Sequence, residues 1–213
     1  MEFLSGLTES PVTLTLLVAN ISISIWAMYG NPVYMQKFSE WPYQVVYEKQ
    51  YYQMFTSAFL HANFAHLFFN MFALFTFGSF LESFFINNFG SFEGSLYFFL
   101  IYFISLAFGS VLSVIFHYKN PLYVAVGASG AVSGIVFSYI IFFPESMLYV
   151  FFIPMPAYLF AFLWIAFSVY GMKSKLGNIG HEAHLGGAIG GVISTLILID
   201  GSMRVLLSHF GLS

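Results

Sequence analysis

Long stretches without a single charged side chain constrain this sequence more than any other feature. Such runs cover residues 10–36, 50–81, 94–118, 120–144, 146–172 and 183–199. About 20 apolar helical residues cross the hydrocarbon core of a bilayer, and most of the runs reach that length. Only 7% of the 213 residues are charged, against about 25% in an average soluble domain. Six Lys and Arg with nine Asp and Glu cannot hydrate the surface of a 24.0 kDa globule. The composition therefore excludes an ordinary soluble domain, a disordered chain and a nucleic-acid binder, which needs a basic face. Cysteine is absent, which removes disulfides and thiolate chemistry. A net charge of −3 points to no charged partner.

The expected fold class is an all-α polytopic membrane protein. Runs such as 98–103 are apolar all round, whereas membrane strands alternate. Six helices are expected, over residues 12–28, 58–84, 95–118, 129–143, 156–170 and 182–200. The first is not a cleaved signal, because Glu2 and Glu9 stand where a basic leader is needed. Residues 29–57 are rich in Tyr and Trp, including Tyr34, Trp41, Tyr43, Tyr47, Tyr51 and Tyr52, and such rings favour the headgroup zone. Pro154 and Pro156 suit the first turn of the fifth helix. Residues 171–180, with Gly171, Gly177 and Gly180, read as a gating loop before the sixth helix. One domain, 1–213, is expected, with a short N-terminus and no extra soluble unit.

Polar residues inside a bilayer are costly and mark function by default. His61, His66 and Asn70 fall at the start of the second expected helix. Gly127-Ala128-Ser129-Gly130 opens the fourth, and His184 opens the sixth. In an alternating bundle, helices two, four and six start on one side of the membrane. Three polar groups thus share one depth.

Small residues four apart let helix backbones approach closely. Gly130 and Gly134 form such a pair, as do Gly187 and Gly191, and Gly186 and Gly190. At about 100° per residue, His184 shares the face of Gly187 and Gly191. This geometry allows a contact between Ser129 and His184 across helices four and six. A serine hydroxyl becomes nucleophilic when an imidazole takes its proton. His66 and Asn70, one turn apart, can donate to a developing oxyanion together with the Ser129 N–H. No acidic third member is evident: Asp200 is distant, and Glu182 faces away from His184. The residues read as a dyad. Ser133, His117 and His209 read as ordinary structural or interfacial groups, and His181 as either.

In this order these residues resemble the rhomboid family of intramembrane serine proteases. The matching motifs are His61, His66 and Asn70; Gly127-Ala128-Ser129-Gly130 with Ser133 and Gly134; Ala183-His184 with Gly186, Gly187 and Gly191; Gly78 to Glu82; and Ile153 to Ala157. The resemblance implies a six-helix bundle and a Ser129–His184 dyad. It implies that His66, Asn70 and Gly127 serve the oxyanion with His61 behind them. The substrates implied are transmembrane segments of other proteins, cut near helix-destabilising residues after small side chains, through an acyl-enzyme. No metal, cofactor or nucleic acid is implied, and the lipid bilayer is the expected surrounding.

The sequence departs from the family at two places. Tyr52-Gln53 stands where many members have Trp-Arg. Ser133 stands where many bacterial members have a Tyr that stacks on the catalytic His, so another side chain must hold the imidazole here. Three competing readings have weaker support. His181-Glu182-Ala183-His184 lacks the four-residue spacing of a zinc protease helix. A transporter would show a half-and-half repeat. A catalytically inactive relative that binds membrane proteins would lack Ser129 or His184. Resemblance to bacterial members implies a cytoplasmic N-terminus in the bacterial plasma membrane and a site opening outward. Lys37, Lys49, Lys119, Lys173 and Lys175 then lie outside, which opposes the positive-inside rule.

Overall fold

The computed structural model describes residues 9–150, 152–174 and 180–212. Helix α1 is Pro11–Tyr29. Three short helices follow: α2 (Pro32–Phe38), α3 (Pro42–Tyr47) and α4 (Gln53–Thr56). A 3-10 turn, Ser57–Phe59, leads to α5 (Phe64–Ala73), which passes through a wide π turn (Leu74–Gly78) into α6 (Ser79–Phe89). Then come α7 (Ser91–His117), α8 (Ser129–Phe142), a hairpin of β1 (Met147–Val150) and β2 (Ile153–Pro156), α9 (Ala157–Ser174), α10 (His181–Leu198) and α11 (Ser202–Ser208).

Among the described residues, four segments are long and apolar enough to cross a bilayer: α1, the α5–α6 rod, α7 and α9. Helices α10 and α11 make a fifth if the pair is counted as one span, bent by 113° where Gly201 takes a left-handed φ of +82°. The sixth apolar segment is α8. Its 14 residues span about 21 Å, short of the ~30 Å core. It tolerates this because protein surrounds it: every residue from Gly130 to Ser138 is buried.

Glu82 ties the end remote from Ser129. It is fully buried and accepts the N–H groups of Val12 at 2.9 Å and Thr13 at 2.7 Å. These are orphan donors of the first turn of α1, and an anion there also answers the helix dipole. The Ser95 hydroxyl donates to the same carboxylate at 2.8 Å. One carboxylate thereby joins α1, α6 and α7.

Helix α10 packs against α7 and α8 on two glycine ridges. A Cβ added to Gly187 would overlap the Gly130 carbonyl, and one on Gly191 would overlap Gly134. On the other ridge, a Cβ at Gly186 would lie 2.6 Å from the Phe108 carbonyl oxygen, and one at Gly190 would lie 2.8 Å from Phe108 Cβ. Gly134 in turn accommodates the Ser105 side chain of α7. Along Gly187 and Gly191 the contact with α8 is backbone on backbone.

Four local expectations are corrected. The second rod starts at Phe64, six residues later than expected, because the Asn63 side chain caps it by accepting the His66 N–H at 2.8 Å. His61 therefore lies in the approach to the helix. Pro154 and Pro156 belong to β2, paired with Tyr149 and Met147, and the helix begins at Ala157. The aromatic stretch 29–57 is a folded unit of three helices; α2 and α3 each begin with Pro at the first position, where a missing N–H costs nothing. Residues 171–174 of the expected gating loop are the last turn of α9, with Gly171 buried, Gly180 directly precedes α10, and residues 175–179, including Gly177, lie outside the described residues.

Gln53 organises that aromatic unit. Its side chain is buried, accepts from the Trp41 N–H at 3.1 Å and donates to Gln44 at 3.0 Å and Gln50 at 2.9 Å. A neutral amide thus pins the loop.

The glycine ridge gives a direct test. Gly187→Ala should destabilise the protein by about 3 kcal/mol or more, because backbone cannot yield to a methyl group as a side chain can. Ile189→Ala, on the exposed face two residues away, should change stability by no more than ~0.5 kcal/mol. Thermal unfolding in detergent compares them.

Candidate active site

Ser129 is the first residue of α8, and the turn before it depends on Gly127. The φ of Gly127 is +125°, a region L side chains avoid. A Cβ there would also stand 2.7 Å from the His66 ring. The Gly127 N–H is held by the Ser57 carbonyl at 3.0 Å. Being first in its helix, Ser129 leaves its own N–H without an intrahelical partner.

His184 lies in the first turn of α10, with its N–H bonded to the Gly180 carbonyl at 3.1 Å. The glycine ridge brings that turn against the head of α8, and His184 Nε2 lies 2.8 Å from Ser129 Oγ. Ser129 is half-buried and His184 buried. A serine that donates to Nε2 requires the proton of neutral His184 on Nδ1. Nδ1 has no hydrogen-bond partner among the described residues, so no carboxylate completes a triad.

The remaining expected site residues gather beside this pair. His61 and His66 meet edge to face with centroids 5.0 Å apart. The Ser24 hydroxyl donates to the Phe59 carbonyl at 2.8 Å, so it must accept from His61 Nδ1 at 2.7 Å. That leaves His61 Nε2 unprotonated in the neutral ring. Asn70 is buried and spends one N–H on the His66 carbonyl at 3.0 Å; its second N–H remains. Gly130, Gly134, Gly187 and Gly191 form the seam that carries the two helices together.

Two further histidines find partners away from the Ser129–His184 pair. The His117 ring stacks on Tyr123 at 3.6 Å and its Nε2 lies 3.3 Å from Glu182. Glu182 therefore turns to the end of α7 and away from His184. His181 points to α9, where it meets Phe167 edge to face at 5.0 Å and fills the space beside Gly171.

Sequence reasoning missed Trp164. Its ring stacks on His184, with centroids 5.3 Å apart and planes 24° from parallel. The aromatic partner that Ser133 cannot supply comes from α9. Trp164, Phe167 and Gly171 form one stripe at helical spacing, and the stripe meets His184 and His181, themselves three apart on α10. The signal was one aromatic in an apolar run of a chain that is 22% aromatic, which does not stand out.

The sequence pattern of the Rhomboid domain family matches residues 48–201. The chain belongs to the rhomboid family. It is 30% identical to RHOMBOID-like protein 12, mitochondrial, of Arabidopsis thaliana, over 95% of this chain and 63% of that protein. It is 29% identical to Rhomboid protein 1, mitochondrial, of Saccharomyces cerevisiae, over 86% of this chain and 52% of that protein. The chain thus spans between about half and two thirds of the length of these two rhomboid relatives. Membership gives it a multi-pass membrane fold of the intramembrane-protease type. The expected bacterial plasma membrane is not borne out, since both relatives are named as mitochondrial proteins.

The ring over His184 has a measurable consequence. Aromatic stacking is worth about 0.5–1.5 kcal/mol, up to roughly tenfold in a rate. Trp164→Leu should slow the reaction of Ser129 with a fluorophosphonate by about tenfold, while Trp164→Phe retains most of the rate. Labelling kinetics at matched protein stability check both.

Proposed function

We propose that this rhomboid is an intramembrane serine endopeptidase that cleaves transmembrane segments of other membrane proteins. The carrying observation is the 2.8 Å contact between Ser129 Oγ and His184 Nε2 at the junction of two helices. In this reading His184 takes the hydroxyl proton as Ser129 Oγ attacks the scissile carbonyl carbon. The carbonyl electrons move to its oxygen, and His184 then returns the proton to the departing amine. The resulting ester is hydrolysed by water, again with His184 as base.

The oxyanion needs donors already in place. The Ser129 N–H is one, because the start of α8 leaves it unbonded. His66 and the free N–H of Asn70 are the others, and the Ser24–His61 bond fixes the ring behind His66. Gly127 serves by having no side chain, which lets the His66 ring lie over the turn. Trp164 limits rotation of His184 in the absence of an acidic third residue. The half-buried Ser129 lies at the end of the bundle that carries the α2–α4 unit, where water can reach it. The expected partners are membrane-protein substrates presented from the surrounding lipid.

A fluorophosphonate probe tests the reading. The wild-type protein should be labelled at Ser129 and should cut a model transmembrane substrate, and Ser129→Ala should do neither. His184→Ala should lower turnover by about a thousandfold or more, since a base and nucleophile act as a unit. Asn70→Ala should cost only about tenfold, less than the 10²–10³ of a sole oxyanion donor, because His66 and the backbone remain. A wild-type protein that takes no label would instead be a rhomboid-like binding factor.

A further inference from the structure

Glu40 lies between α2 and α3 and is 3% exposed. Its main chain pairs with Ala125 in both directions, each N–H to carbonyl distance being 2.9 Å. Two residues further on, Gly127 donates to Ser57 at 3.0 Å. These bonds hold the segment 123–127, which delivers Ser129 to the head of α8. The Glu40 side chain reaches the other way. Its Oε2 accepts from the Ser110 hydroxyl of α7 at 2.5 Å, and the Ser113 hydroxyl lies beside it.

Ser110 follows Gly109, and Gly109 is where the three site helices converge. A Cβ there would lie 2.7 Å from the Ala183 carbonyl oxygen and 3.5 Å from Gly130 Cα. Ala183 precedes His184 and Gly130 follows Ser129. Glu40 thus joins the segment before the serine to the level of α7 that touches both neighbours of the pair.

We propose that Glu40 is a positioning residue for Ser129 and His184: its neutral carboxyl clasps segment 123–127 to α7, and ionisation loosens the clasp. The inference rests on the protease reading above. A buried carboxylate is costly unless its charge is answered. Burial pushes Glu40 up to about 7, against the opposing effect of the Ser110 and Ser113 hydroxyls. The groups around it do not supply a counter-charge. Tyr123, from the clasped segment, is pushed up to about 12 by burial, with the charges of Glu182 and Glu40 also opposing its ionisation. Glu182, from α10, is a second acidic group. His117, from α7, is engaged by Glu182. Among the described residues, Glu40 Oε1 and Ser113 Oγ find no partner within hydrogen-bond geometry. A proton on Oε1 gives it a donor with Ser113 Oγ as acceptor nearby, whereas the anion, buried at Glu40, has neither a counter-charge nor open solvent to answer it.

The test compares wild type with Glu40→Gln, which keeps the backbone pairing and an acceptor for Ser110 but cannot ionise. Fluorophosphonate labelling of Ser129 is timed for both at pH 6 and pH 8.5. Taking the ratio at each pH removes the titration of His184 itself. The ratio of variant to wild type should rise about tenfold between the two values, because only a small share of a group titrating near 7 stays neutral at 8.5. Amide exchange in the Ser129→Ala protein gives a second readout without activity. The amides of Ala125 and Gly127 should exchange faster at pH 8.5 than at pH 6 relative to Val45, whose N–H bonds the Trp41 carbonyl within α3. Either readout staying flat overturns the clasp while leaving the dyad intact. A wild-type protein with Ser129 unlabelled at every pH overturns the protease reading, and the inference with it.

Discussion

Backbone contact between helices is the constraint on which the rest of this molecule depends. In lipid there is no hydrophobic driving force to bring apolar helices together. Close packing must replace it, and α10 achieves this on two sides at once. Gly187 and Gly191 meet the carbonyls of α8, while Gly186 and Gly190 meet α7. The seam fixes the rotation of α10 as well as its distance. That rotation directs His184 at Ser129, and it leaves Glu182 turned to the end of α7. One small-residue pattern therefore serves packing and chemistry together.

The polar groups follow the logic of burial. Each costs free energy in an apolar setting unless it is bonded, and most of them bond across helices. Glu82 takes up the open N–H groups of α1. Gln53 gathers the aromatic unit of α2 to α4, and Glu40 joins that unit to α7. The unit is a brace under the segment 123–127, because the Glu40–Ala125 pairing and the Ser57–Gly127 bond both end there. A short α8 is consistent with this arrangement. Its first residue lies within protein, and the loop before it needs support that lipid cannot give.

Several features were legible because they rest on local patterns. Charge-free runs located the apolar segments, and the four-residue spacing of small residues identified which helices touch. The same spacing placed His184 on the contact face. Asn63 was legible in principle as a capping side chain, but His61, two residues earlier, drew the helix start forward. The β1–β2 hairpin was not legible, since Pro154 and Pro156 fit a helix start as well as an edge-like strand. Trp164 was hidden among many aromatics, any of which meets lipid at no cost. Glu40 was hidden as one of nine acidic residues in a loop, where exposure is the ordinary expectation.

The sequence by itself determined the membrane class, the apolar segments, the glycine ridges and the small set of polar residues that need partners. Those follow from composition and from periodicity along one helix. The tertiary structure alone decided which ring lies over His184, which carboxylate enters the α7 interface and where the turn before Ser129 is held. These are contacts between elements far apart in the chain. Their selection depends on the rotation and depth of whole helices, which no local run of residues encodes.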